Sequence, residues 1–158
     1  DMKRFSTNGV IASMQPTSIY DDAAWAYKRV DDSILEGTYI FKSLLDDGAT
    51  LTFGSDWTVT TLDPLMGIFT AVTRKTRDGK NPDGWYPKEK ISVEDALRCY
   101  TINSAYAGFQ EDKLGTLESG KLADFVVLSK DLRVINPDDI LNTHVIRTVV
   151  DGKDVYVK

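Results

Sequence analysis

Two kinds of hydrophobic spacing run along the chain. Val10 to Gln15 is a short apolar stretch that follows Asn8-Gly9 and stops at Pro16. That is the length and punctuation of a buried strand. From Lys28 to Asp47, Ile34, Leu35, Tyr39, Ile40, Leu44 and Leu45 share one broad face at helical period. The pattern predicts one long helix, stopped by Asp46-Asp47-Gly48 with Gly48 just past its end. Ala49 to Phe53 then alternates toward a second strand, halted by Gly54-Ser55-Asp56. Helix, glycine, strand and polar loop in that order form half of an α/β repeat.

Asp63 is placed to cap the next helix and Pro64 to open it, with Leu65, Ile68, Phe69 and Val72 as its apolar stripe. Arg74 to Pro87 is broken by Gly79, Asn81-Pro82 and Gly84, which predicts a long loop that carries Trp85 and Tyr86. Ser92-Val93-Glu94-Asp95 starts a capped helix through Tyr100, and a further helical segment runs from Asn103 to Phe109. Beyond Phe109 the character changes. Ala123 to Leu128 reads as a strand, Pro137 to Leu141 as a helical turn, and Val145 to Val157 as a hairpin turning at Asp151-Gly152. The chain therefore divides into an α/β segment, 1–109, and a mainly β segment, 110–158.

Composition narrows the chemistry. The chain has 158 residues, with 19 Lys+Arg against 24 Asp+Glu, a net charge of -5. An acidic chain without a basic cluster repels phosphate backbones, so nucleic acid is not expected as a partner. Apolar runs fall far short of the ~18–20 residues of a membrane span, so no membrane partner is expected. The single cysteine, Cys99, excludes an intrachain disulfide. The single histidine, His144, excludes a zinc site built on several histidines of this chain.

The strongest local candidate is Asp56. A carboxylate just beyond a buried parallel strand is where α/β barrels and doubly wound folds place catalytic groups. There it serves as a metal ligand or general base, or else it caps a turn. Gln15 and Ser18 follow the first strand in the same way, on the same expected rim, although Pro16 also serves simply to end that strand. Trp57, Trp85 and Tyr86 are placed either to wall a pocket or to pack a loop. Cys99 reads as core, and His144 as a structural or surface residue. Gly115 and Gly120 lack the Lys-Ser/Thr ending of a phosphate loop.

Several stretches resemble the C-terminal part of the metal-dependent amidohydrolase superfamily, in particular amidohydrolase family 3, which includes N-substituted formamide deformylase-like enzymes. They are GVIASMQP from Gly9 to Pro16, FGSD from Phe53 to Asp56, GWYP from Gly84 to Pro87, SVEDAL from Ser92 to Leu97, and Tyr100-Thr101. GTLESGKLADFVVL from Gly115 to Leu128 is the most specific of them. The resemblance implies an α/β fold: about strands 7 and 8 of a (β/α)₈ TIM barrel in 1–109, and part of a composite β-sandwich in 110–158. It implies hydrolysis of an amide- or formamide-type C–N bond in a small-molecule substrate, by a water activated on a divalent metal, zinc before others. Asp56 matches the acid after strand eight, which touches the metal-bound water and moves its proton. Substrate contacts are expected from Gln15, Ser18, Trp57 and Trp85.

The departures shape the expectation equally. The family's His-x-His pair is absent, and Ser18 stands where many relatives carry histidine. A barrel needs about 250 residues. The chain is therefore expected to be a C-terminal portion, inactive and metal-free by itself, and to pair as a homo-oligomer through an open barrel edge. The alternative is a non-catalytic binding or regulatory protein derived from the same barrel.

Overall fold

The computed structural model describes residues 1–158. Helix α1 (Lys3–Thr7) leads into strand β1 (Ala12–Met14), followed by α2 (Thr17–Asp22), α3 (Asp32–Leu35) and α4 (Phe41–Asp46). Strand β2 (Leu51–Phe53) comes next, then α5 (Pro64–Thr73), α6 (Val93–Tyr100) and α7 (Ile102–Ala107). The last part holds β3 (Phe125–Leu128), β4 (Val145–Val150) and β5 (Lys153–Val157). Short 3₁₀ turns occupy Ala26–Lys28, Pro87–Glu89 and Pro137–Asn142.

β1 and β2 form a parallel pair with Met14 beside Phe53, while β3, β4 and β5 form a separate antiparallel sheet in that order. All three residues of β2 are buried, so the strand does not alternate between core and solvent as its sequence suggests. β1 has no strand on its other side. The outer edge of β2 is covered by α7, whose Asn103 side-chain amide donates to the Leu51 carbonyl at 2.8 Å. Thr52 and Ser104 share a hydroxyl–hydroxyl bond of 2.6 Å beside it.

The long helix expected over Lys28 to Asp47 is not formed. Asp31 is extended, at φ -66° and ψ 149°, and Tyr39 is left-handed at φ 54°. Both conformations interrupt a helical ladder, and Gly37 between them weakens it further. What remains is two short helices that turn Leu35, Phe41 and Leu44 inward and leave Ile34 exposed. The tertiary reward for burying Phe41 against Phe53, with ring centroids 5.1 Å apart, outweighs the regular period.

α5 sits at the centre of the fold. Asp63 caps it by accepting the Leu65 amide at 2.9 Å, with Pro64 in the first turn. Of the predicted stripe, Leu65, Ile68 and Phe69 are buried and Val72 only partly, while Gly67, Thr70, Ala71 and Thr73 are buried as well. Neighbours on several sides explain this: α2, α6 and the 3₁₀ turn of the tail all pack on α5. The two buried threonines return their hydroxyls to the carbonyls of Met66 and Phe69, each at 2.8 Å, so neither leaves an orphaned polar group. At Gly67 the Tyr100 ring lies so close that a Cβ would stand 1.8 Å from its hydroxyl.

The capped start of α6 forms as read: Ser92 accepts the Asp95 amide at 3.0 Å. The hairpin turns on Asp151 and Gly152, at φ 51° and 71°, the left-handed pair of a type I′ turn.

Cys99 is fully enclosed by this core, and burial, with Asp95 nearby, pushes its thiol up to about 12. The unfolded thiol titrates near 9. The native state therefore holds its proton through a window in which the unfolded chain releases it. This contribution to stability is intact below about pH 9 and is lost as the pH rises toward 12. Half-buried Tyr39 and Tyr100 shift in the same direction. The urea midpoint should fall steadily across that window, and Cys99 should resist thiol reagents at neutral pH until the chain unfolds. Labelling of the native thiol at the rate of a free cysteine would contradict this.

Candidate functional site

The parallel pair sets up a rim. Gly54 donates its amide to the Met14 carbonyl at 3.1 Å, so the chain leaves both strands on the same side and side by side. Adjacent strands lie about 4.8 Å apart, which brings the segment from Gln15 and the segment from Gly54 together at their C-terminal ends.

Asp56 occupies the tip of the second segment. Its backbone is left-handed at φ 54° and its side chain is exposed. Three local bonds fix the turn: the Asp56 carbonyl accepts Val59 N–H at 2.8 Å, Ser55 Oγ accepts Trp57 N–H at 3.3 Å, and the Thr60 hydroxyl donates to the Ser55 carbonyl. The carboxylate itself takes no part in these bonds. It is thus presented on a self-braced loop rather than spent as a cap. Trp57, beside it, is 63% exposed.

On the first segment Gln15 and Ser18 are half-buried. Gln15 receives Ser18 N–H on its carbonyl at 3.2 Å, starting α2. Ser18 lies near the phenol of Tyr39, which donates to Asp22 Oδ2 at 2.6 Å. Ser18 and Asp22 are one turn apart, so Tyr39 braces one face of α2.

Trp85 belongs to a different environment. It is 9% exposed and stacks edge-on with Tyr39 and Tyr86, at centroid distances of 6.3 and 4.8 Å. The fully buried Arg74 lies over it, its Cζ 5.6 Å from both the Trp85 and Phe41 rings. Arg74 donates to the Trp85 carbonyl at 2.6 Å and the Tyr39 carbonyl at 2.9 Å. Desolvation lowers its guanidinium to about 10, a fall that the charge of Glu89 opposes. Glu89, also buried, accepts Ser43 N–H at 3.0 Å and the Ser43 hydroxyl at the start of α4. Trp85 therefore packs the long loop and does not line the rim. No spacing in the sequence links Arg74, Glu89 and Ser43, because they meet only through loop closure.

A metal does not fit the residues present. No group of three or more His, Cys, Asp and Glu side chains is placed to hold one. His144 is exposed beside Ser129 at the end of the antiparallel sheet, with Nδ1 3.3 Å from its hydroxyl. A cavity of about 580 Å³ lies away from Asp56, between the α6–α7 region and β3, where Tyr100, Ala105, Leu117 and Phe125 line it.

The family model described as Amidohydrolase family matches residues 1–156. The chain belongs to the amidohydrolase family. Among curated relatives, protein LONG AFTER FAR-RED 3 of Arabidopsis thaliana is 40% identical over 154 residues, which is 97% of this chain and 26% of that protein. N-substituted formamide deformylase of Arthrobacter pascens is 35% identical over 111 residues, 70% of this chain and 20% of that enzyme. Among solved structures, an uncharacterized metal-dependent hydrolase from Pyrococcus horikoshii OT3 superposes with a TM-score of 0.75 at 28% identity, covering 87% of this chain and 28% of that one. The chain thus spans about a quarter of the length of these relatives. The α/β fold and the antiparallel sheet agree with a C-terminal portion of such a hydrolase.

Proposed function

We propose that this chain supplies the carboxylate part of a hydrolytic site acting on amide- or formamide-type C–N bonds. In this reading β1 and β2 are strands seven and eight of a (β/α)₈ barrel, with residues 1–109 as its barrel part and 110–158 as its share of a β-sandwich. Asp56 accepts the proton of a water attacking the carbonyl and returns it to the departing nitrogen. Gln15, Ser18 and Trp57 face the substrate from the same rim. One observation carries the reading: an exposed carboxylate, unengaged by protein, stands on a braced loop at the C-terminal end of a parallel strand pair, in a chain of this family. The name of the Arthrobacter relative supports formamides as the substrate class.

The divalent metal expected of the complete enzyme, zinc before others, has no ligand set among these residues, and no step is assigned to it. Turnover therefore requires groups from outside this chain. Homo-oligomers are proposed to form through the open edge of β1.

Assayed alone with zinc on N-substituted formamides and simple amides, the chain should show no turnover. Turnover abolished by Asp56→Asn would refute the claim of inactivity and retain the role of Asp56. In a polypeptide that carries these residues within a complete barrel, Asp56→Asn should lower kcat at least about a hundredfold. An unchanged kcat would overturn the role of Asp56. It would favour the second reading, a non-catalytic binding protein, which Ser18 at a position of frequent histidine also suits.

A further inference from the structure

Beside the loop that carries Asp56, a separate cavity of about 430 Å³ opens between α2, the start of α5 and the loop that follows α5. Thr17 lines it. This residue is only 4% exposed, and its Oγ1 has no hydrogen-bond partner. A buried hydroxyl left unpaired is costly, and a ligand that pairs with it recovers that loss.

The other polar groups around the cavity include two carboxylates, the guanidinium of Arg77 and the hydroxyls of Thr60 and Thr61, of which Thr61 accepts the Asp63 amide at 3.2 Å. Asp63 uses Oδ1 for the Leu65 amide and leaves Oδ2 without a protein partner. The Thr60 hydroxyl spends its proton on the Ser55 carbonyl, so its remaining capacity is to accept. Asp21 faces Arg77, whose Nη1 stands 3.2 Å from Asp21 Oδ1. With two carboxylates against one guanidinium the lining is negative, which disfavours an anion. Tyr20, Met66 and Leu141 supply the apolar wall, and a tyrosine ring also attracts a cation.

We propose that this cavity binds a primary alkylammonium ion, with the ammonium donating to Thr17 Oγ1 and the Asp63 carboxylate and the alkyl chain lying on Met66 and Leu141. Primary amines carry this charge at neutral pH. Such an ion is also what hydrolysis of an N-alkyl amide releases; that connection rests on the reading of Asp56, whereas the binding does not.

The test is a titration of the metal-free chain with n-butylammonium chloride, followed by amide shifts in ¹H–¹⁵N spectra, with 1-butanol and sodium butyrate as comparators. Saturable shifts at Thr17 and Leu65 are expected with butylammonium, and weaker binding with the alcohol and the carboxylate. Asp63→Asn keeps a good helix cap and should weaken butylammonium about three- to fivefold. Thr17→Val should weaken it similarly while leaving the urea midpoint equal or higher, because it removes an unpaired buried hydroxyl. The proposal is overturned by butyrate binding as tightly, by shifts that do not saturate, or by either variant leaving the affinity unchanged. A chain that binds butylammonium while Asp56→Asn leaves kcat unchanged in a complete barrel retains this site and loses only the hydrolytic reading.

Discussion

Gly84→Ala should destabilise the protein by about 3 kcal/mol, the sum of backbone strain and overpacking. Gly84 sits at φ +92°, where an L side chain is strained. An alanine Cβ there would lie 2.3 Å from the Thr73 carbonyl oxygen and 3.2 Å from Arg74 Cβ. The first neighbour is backbone at the end of a buried helix, so it cannot swing aside as a side-chain tip can. The loop must lift away, and with it go the bond from Trp85 N–H to the Arg74 carbonyl, 2.7 Å long, and the stacking of Trp85. For a chain of this size the midpoint should fall by about 6–12 °C. Gly79→Ala is the control. It has φ +68° but nothing within 4 Å, so only the strain of about 1 kcal/mol remains. Equal losses for the two variants, read from urea unfolding followed by tryptophan fluorescence, would show that the close approach at Gly84 carries no weight.

Glu89→Ala should be of similar size, about 3 kcal/mol. It leaves the Ser43 amide and hydroxyl without their acceptor at the start of α4 and removes the carboxylate whose charge supports the buried Arg74 guanidinium. Each half-buried donor stranded in this way costs about 1 kcal/mol, and the loss of the charge that supports Arg74 makes up the rest. If the charge on Arg74 is part of the loss, Arg74→Met in the Glu89→Ala background should add less than it does in the native chain. Strictly additive losses in that double-mutant cycle would mean that Glu89 acts on Ser43 alone.

These two predictions rest on contacts that the linear chain conceals, and the same boundary runs through the whole molecule. Local chemistry was readable wherever a residue acts on its own neighbours. Asp63 and Pro64 start α5, Ser92 starts α6, Gly48 follows the end of α4 at φ +80°, and Asp151-Gly152 turns the hairpin. The rim was legible for the same reason, since Gln15 and Asp56 lie a few residues beyond the strands that carry them. The apolar period over Lys28 to Asp47 misled, because the chain leaves the helical region at Asp31 and Tyr39 to bring Leu35, Phe41 and Leu44 into one core. Trp85 could not be assigned from sequence, because its neighbours come from residues 39 and 74 as well as from Tyr86.

Short-range signals thus determined by themselves the family, the strand–loop positions of the rim, the end of α4 and the starts of α5 and α6, because caps, turns and motifs are set within a few residues; α1 and α2 carried no such signal. Only the tertiary structure decided that α5 is enclosed on several sides, that Arg74 and Glu89 lock the long loop, and that Asn103 of α7 reaches the backbone of β2. Each of these depends on groups distant in the chain, whose meeting is governed by packing and by the need to satisfy buried polar atoms.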